Sequence, residues 1–202
     1  MNTFKKIACS FMAVAVVIGC TACASKTFDH KKAVKYCEDE GYELYDDVDD
    51  YAGDFEKFIS GEWPGEGAYI HAVKDDAQDV YDNIFNRFGA YPECDVNEAT
   101  SFVFFDQGVF VQGYVLTFDE VKDAEKTFKD YARRFKEDGE DGEEKGYTYF
   151  IMEKRYSENM KMYCGIYQKN NSVLFIQCNY KKPSMVDEIC ENFGVISPSE
   201  AE

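Results

Sequence analysis

Histidine is nearly missing from this chain. Two occur in 202 residues, His30 and His71. A structural zinc site takes four Cys or His ligands at tight spacing. Neither histidine has a Cys or His three or four residues away, and no Cys-x-x-Cys follows Cys23. No metal site and no cofactor are therefore expected. There is no Gly-x-Ser-x-Gly and no P-loop, so the common signatures of nucleophilic and phosphate-binding loops are missing too. Gly65-x-Gly67 lacks a third glycine in phase. Positive charge is also scarce. The 22 Lys and Arg stand against 39 Asp and Glu, for a net charge of −17. Nucleic-acid binding needs a basic face that displaces counterions from phosphate, and this balance excludes it. An anionic membrane surface would repel the protein as well. No apolar run reaches the roughly 20 residues that span a bilayer.

What is present is a core. Hydrophobic residues make up 45%, with 17 Phe and 15 Tyr. A domain of about 170 residues buries roughly 70% of its unfolded surface and needs no metal or disulfide to hold together.

The N-terminus carries the sharpest signal. Lys5 and Lys6 precede an apolar run from Ile7 to Ile18, the layout of a secretory signal. Val17-Ile18-Gly19-Cys20 follows. This segment resembles the lipobox of bacterial lipoproteins: a branched residue at −3, Gly at −1, then Cys. The resemblance covers residues 1–23 and implies cleavage before Cys20 and attachment of diacylglycerol to its sulfur. The other frame, ending at Cys23, puts Cys20 at −3, where a branched aliphatic residue is expected; Cys20 is favoured. Two acyl chains suffice for stable anchoring, so charge repulsion does not prevent attachment to the membrane. Loss of Lys5 and Lys6 with the signal takes the charge from −17 to −19.

The expected organisation is a signal at 1–19, a lipidated tether at 20–28, one domain at 29–196 and a tail at 197–202. Asp29 is positioned to cap a helix that stops at Gly41. The acid-rich stretch 43–56 fails the EF-hand spacing, with Tyr51 and Ala52 at the fifth and sixth positions from Asp47, and reads as a solvated loop, with a short helix near Asp54–Ile59. Apolar spacing from Tyr69 to Phe88 predicts a helix. Thr100–Phe105 and Val109–Phe118 predict a hairpin. Val121, Ala124, Phe128, Tyr131 and Phe135 predict a second long helix, with Thr117 or Asp119 as its cap. The Gly- and acid-rich stretch 137–146 reads as a loop. Three strands at 147–156, 160–168 and 172–180 and a helix from Ser184 to Gly194 complete the order ααββαβββα. That predicts an α+β domain with a mostly antiparallel sheet of about five strands.

Two surfaces merit tracking. Cys164 and Cys178 lie on adjacent strands. A three-residue turn, Asn170–Ser172, sets them opposite each other and permits a disulfide; a two-residue turn puts them on opposite faces. The bland alternative is two small core residues. Cys37 and Cys190 read as core, and Cys94 as the most reachable thiol. Tyr147, Tyr149, Tyr163 and Tyr167 share one strand face, which is a binding surface if no helix covers it. Function at this level is a membrane-anchored extracytoplasmic lipoprotein whose domain binds without catalysis. Alternatives are an extracellular hydrolase using carboxylates and an accessory subunit of a cell-envelope complex with a protein partner. With 39 acids, chance carboxylate pairs are too common to select the hydrolase.

Overall fold

A computed structural model describes residues 26–60, 62, 66–87, 89–106, 108–157, 160–179 and 183–200. The signal segment, Cys20, Cys23 and Trp63 lie outside the described residues.

The chain runs α1 (His30–Asp39), β1 (Glu43–Tyr45), α2 (Val48–Ser60), β2 (Glu66–Val73) and α3 (Asp75–Val80), which continues as a π-turn at Tyr81–Phe85. Then come β3 (Val96–Asp106), β4 (Val109–Phe118), α4 (Val121–Arg134), β5 (Gly139–Glu144), β6 (Tyr147–Ser157), β7 (Met160–Lys169), β8 (Ser172–Asn179), α5 (Pro183–Phe193) and a 3-10 turn at Pro198–Glu200. The strands form one sheet of eight, ordered β1-β2-β3-β4-β8-β7-β6-β5. The β1–β2 pair is parallel and every other pair antiparallel.

This corrects the expectation of about five strands. Three elements account for the difference. β1 and β5 lie in the two acid-rich stretches read as loops; as sheet edges they leave much of their side-chain surface in solvent. β2 overlaps the stretch read as the start of a helix, from Tyr69 to Val73. Its Ala68, Tyr69 and Ile70 are all buried because helices cover both sheet faces. A strand buried on both sides loses the alternation that marks a half-buried one. The helix begins only after Lys74, whose φ of 59° breaks the extended run. Because α2 connects β1 to β2 as a crossover, that pair is parallel and the sheet is mixed.

Helices cover both faces. Tyr51 and Phe55 of α2, Ala77 and Val80 of α3, Ile84 and Phe85 of the π-turn, and Ala124 and Tyr131 of α4 pack on one side. Ala33, Tyr36 and Cys37 of α1 join Val186, Ile189 and Cys190 of α5 on the other. α1 starts as its sequence predicts: the Asp29 side chain accepts from Lys31 N at 3.0 Å. α4 starts after Glu120, which makes no side-chain cap; the expected capping box does not form, because Thr117 still belongs to β4, three residues before the cap, with its Oγ1 against His30.

Where β3 crosses β4, Gly113 sits opposite Phe102, and a Cβ there would strike the Phe102 ring. The missing side chain lets that ring lie flat on the sheet.

Candidate functional site

The face under α2, α3 and α4 is not fully closed. The helices diverge over β4, β8, β7 and β6 and leave a cleft of about 320 Å³. Phe85, Tyr91, Tyr114, Tyr131, Phe135 and Phe175 wall it. The rings form one connected set, with Phe85 stacked on Tyr91 at 4.5 Å between centroids and edge-on to Tyr114 at 5.0 Å. Tyr131 meets Phe135 at 4.9 Å and Phe175 at 5.4 Å. The π-turn places Phe85 here. Asn86 N donates to Tyr81 O at 2.7 Å, five residues back. That single widened turn rotates Ile84 and Phe85 toward the cleft, and such π-turns concentrate at functional sites.

The polar groups are few. Gln112 donates to Tyr114 OH, and Gln177 lines the same floor. Burial pushes the Tyr91 and Tyr114 hydroxyls well above the ordinary tyrosine range, so both stay neutral. Cations stand at the rim. The Arg87 guanidinium lies 5.5 Å from the Phe55 ring centroid and 3.4 Å from Glu56 Oε1. Arg134 lies 5.4 Å from the Tyr91 centroid and pairs with Asp130 at 2.5 Å.

Ala90 and Tyr91 also border an open groove along α4. It is lined by Lys122, Lys126, Lys129, Arg133 and Arg134 with Glu125 and Asp130, and Glu120 reaches Lys122 at 2.7 Å. Five cations beside three carboxylates leave a local positive excess on a chain whose net charge is −17; Lys129 pairs with Glu125, and Arg133 and Arg134 share Asp130. Cleft and groove together present an apolar, aromatic chamber with a positive porch. That is the usual form of a small-molecule site: mostly apolar walls with a few placed polar groups.

The residues singled out from sequence fall elsewhere. Lys169 pairs with Ser172, so the β7–β8 turn has two residues, Asn170 and Asn171. Tyr163 then faces Cys178, and Cys164 faces Gln177. Cys164 packs in the cluster under α4 and Cys178 in the cluster under α5. The expected disulfide between them is ruled out because the sheet separates the two sulfurs.

The tyrosine face is also corrected. Tyr147, Tyr163 and Tyr167 are buried and Tyr149 half-buried, under α5 and the segment that follows it. Tyr147 OH accepts from Ile196 N at 3.0 Å, and Tyr167 OH donates to Ile196 O at 2.6 Å. These four do not form an open binding surface. Nor is 197–200 a loose tail: the Ser197 hydroxyl donates to Asp187 at 2.6 Å and Pro198 is buried. Cys94 is buried against Thr127 at 3.8 Å rather than exposed.

The two histidines, 41 positions apart in sequence, come together. His71 stands on β2, not on a helix, and its ring centroid is 5.7 Å from that of His30. Both Nδ1 atoms contact Thr100 Oγ1, at 2.9 Å from His30 and 3.0 Å from His71. His30 Nε2 contacts Thr117 Oγ1 at 2.9 Å. Glu98 lies 3.9 Å from His30 Nε2 and 3.7 Å from His71 Nε2. Burial, then the neighbouring His71, lower the His30 pKa to about 3. No local spacing signals this cluster; only the β2–β3 register, His71 against Thr100, builds it.

No protein-family model matches the chain, and no curated protein does. Among solved structures it is similar to the extracellular domain of PknH from Mycobacterium tuberculosis, at 11% identity and a TM-score of 0.42, over 68% of this chain and 86% of that one. A likeness this slight carries no weight for function. Among the described residues, no helix is long and apolar enough to cross a membrane.

Proposed function

We propose that the protein is a lipid-anchored, extracytoplasmic binding domain. Its ligand is a small molecule with an aromatic or aliphatic body and an anionic group. The lipobox-like Val17-Ile18-Gly19-Cys20 supports the anchor and the location. The aromatic cleft beside a cationic groove is the observation that carries the ligand class. The apolar body enters between Phe85, Tyr131 and Phe175, where its burial is favourable by about 25 cal/mol per Å². The anionic end stays at the rim near Arg87 and Arg134. The cleft floor holds neutral phenols and amides, so nothing there repels a negative charge.

Two probes of one shape test this. Anilinonaphthalene sulfonate is an aromatic anion, and N-phenyl-1-naphthylamine is its neutral counterpart. The sulfonate should bind once per chain, at least tenfold tighter than the neutral probe. Arg87→Ala should erase most of that preference, since a charge-assisted contact contributes about 1.5–3 kcal/mol. Ala90→Trp, at the half-buried shared edge of cleft and groove, should block both probes. Equal affinity of the two probes, or binding indifferent to Ala90→Trp, would defeat the assignment.

A further inference from the structure

We propose that His30, His71 and Glu98 form a binding site for a first-row divalent transition metal of the zinc class, with one coordination position left open. The site is independent of the aromatic cleft. One ligand atom from each of the three residues lies within 4.8 Å of the others. Zinc bonds of about 2.0–2.2 Å in tetrahedral geometry set ligand atoms about 3.4 Å apart. His30 Nε2 lies 3.9 Å from Glu98 Oε2 and His71 Nε2 3.7 Å from Glu98 Oε1, and with every edge within 4.8 Å the trio closes on an ion by side-chain shifts of up to about 1 Å. Two imidazoles and one carboxylate are a donor set that suits zinc and leaves a fourth position for water.

Thr100 supplies the second reason. Its hydroxyl has one hydrogen, yet it contacts the Nδ1 of both histidines. That hydrogen serves one contact at most. At least one imidazole therefore carries its proton on Nδ1 and donates it to Thr100 Oγ1. An oxygen with two lone pairs accepts from both equally well. With both protons on Nδ1, both Nε2 atoms keep a lone pair free to bind a cation, on the side where Glu98 lies 3.9 and 3.7 Å away. A neutral acceptor fixing the far nitrogen of each ligating histidine is the ordinary support of a metal site. His30 Nε2 gives up one contact on metal binding, the Thr117 hydroxyl at 2.9 Å.

Access also fits. His30 is 5% exposed, whereas His71 and Glu98 are 34% and 38% exposed, so the trio opens at the surface. His30 is the first residue of α1, His71 lies on β2 and Glu98 on β3. A bound ion would clip the N-terminal helix to the sheet, beside the tether that leads to Cys20.

The chain has only two histidines, which makes the test clean. The full chain, solubilised in detergent and free of any affinity tag, is titrated with zinc chloride while the imidazole nitrogens are followed by long-range ¹⁵N NMR. Both rings should show Nδ1–H in the metal-free protein. One equivalent of zinc should shift both Nε2 resonances, and cobalt should give a tetrahedral d–d band. Glu98→Gln and His71→Asn, at half-exposed positions, should each weaken zinc binding at least tenfold without lowering the melting temperature of the metal-free protein. Thr100→Val should weaken it about tenfold to a hundredfold while leaving the stoichiometry at one. Zinc binding that leaves both Nε2 resonances in place would assign the ion to surface carboxylates and overturn the site. Affinity unchanged in Glu98→Gln would do the same.

Discussion

Tyr167→Phe tests whether the tyrosine face is closed. Tyr167 is fully buried on β7, and its hydroxyl donates to Ile196 O at 2.6 Å, with Cys190 Sγ at 3.7 Å. Tyr147, on β6, accepts from the N–H of the same residue at 3.0 Å. The two phenols thus grip one residue of the segment after α5 from both sides. Removing the Tyr167 oxygen leaves the ring packing intact and strips the Ile196 carbonyl of this donor. A buried acceptor so deprived costs about 1–3 kcal/mol; Ile196 is half-buried, so about 1–2 kcal/mol is expected. For a domain of this size, 1 kcal/mol corresponds to about 2–4 °C, so the melting temperature should fall by about 2–8 °C. Urea denaturation should show a lower midpoint with an unchanged slope. Tyr147→Phe should cost about 1 kcal/mol through the Ile196 N–H. The double mutant should depart from additivity by at least about 0.5 kcal/mol, because both side chains hold the same residue. Tyr149→Phe, at a half-buried position on the same face, should stay within about 0.5 kcal/mol of wild type. If Tyr167→Phe were as stable as wild type to within about 0.3 kcal/mol, the contact with Ile196 would not close the face. The open aromatic surface would then be restored.

Cys20→Ala should move the protein from washed membranes to the soluble fraction; retention would refute the anchor or transfer it to Cys23. Burial raises the Cys190 thiol to about 12, so iodoacetamide at pH 8.5 should leave it unmodified in the native protein and label it fully in urea. The same shift sets a sign for stability. An unfolded cysteine titrates near 8.5, so above that pH the unfolded chain loses a proton that the folded chain keeps. Cys190 should therefore subtract up to about 1.4 kcal/mol of stability per pH unit as pH rises from about 8.5 toward 12. A urea midpoint that does not move between pH 8 and pH 10 would count against that burial.

The elements with strong local pattern were legible: α1 with its Asp29 cap, the β3–β4 hairpin, α4, the β6–β7–β8 meander and α5. What failed was edge strands and doubly buried strands. Glu140, Asp141 and Glu143 make β5 look like a loop, yet charge on an edge strand is ordinary because it discourages pairing with other chains. In β2 the run Ala68 to Ile70 satisfies helix spacing as readily as strand burial, so only the partner strand decides. The cysteine pair turned on a single turn residue. Asn170 takes φ 53°, the turn closes in two residues instead of three, and every side chain on one strand changes face relative to its partner. The cleft was not legible at all, because its rings come from the π-turn, the loop after it, β4, α4 and β8, each of which reads as core when taken alone.

The histidine cluster shows the same limit in sharper form. Scarcity and spacing argue against a metal only where the ligands lie close together in sequence, as in sites built within one hairpin or helix. A site spread over α1, β2 and β3 has no spacing to read, and its residues are set by sheet register instead. His71 faces Thr100 because β2 pairs with β3 antiparallel, and Glu98 precedes Thr100 by two positions on the same strand face. His30 arrives independently, placed by the Asp29 cap at the first position of α1. Two separate local rules, a helix cap and a strand register, thus converge on one hydroxyl, Thr100 Oγ1. A buried imidazole is costly unless both of its nitrogens find partners, and here Thr100 and Thr117 satisfy both in His30. A fold with no use for His30 could fill that position with an apolar side chain and two smaller neighbours. The polar arrangement, with the second of only two histidines beside it and the Glu98 carboxylate within 3.9 Å of both Nε2 atoms, is the feature that the proposed metal site explains.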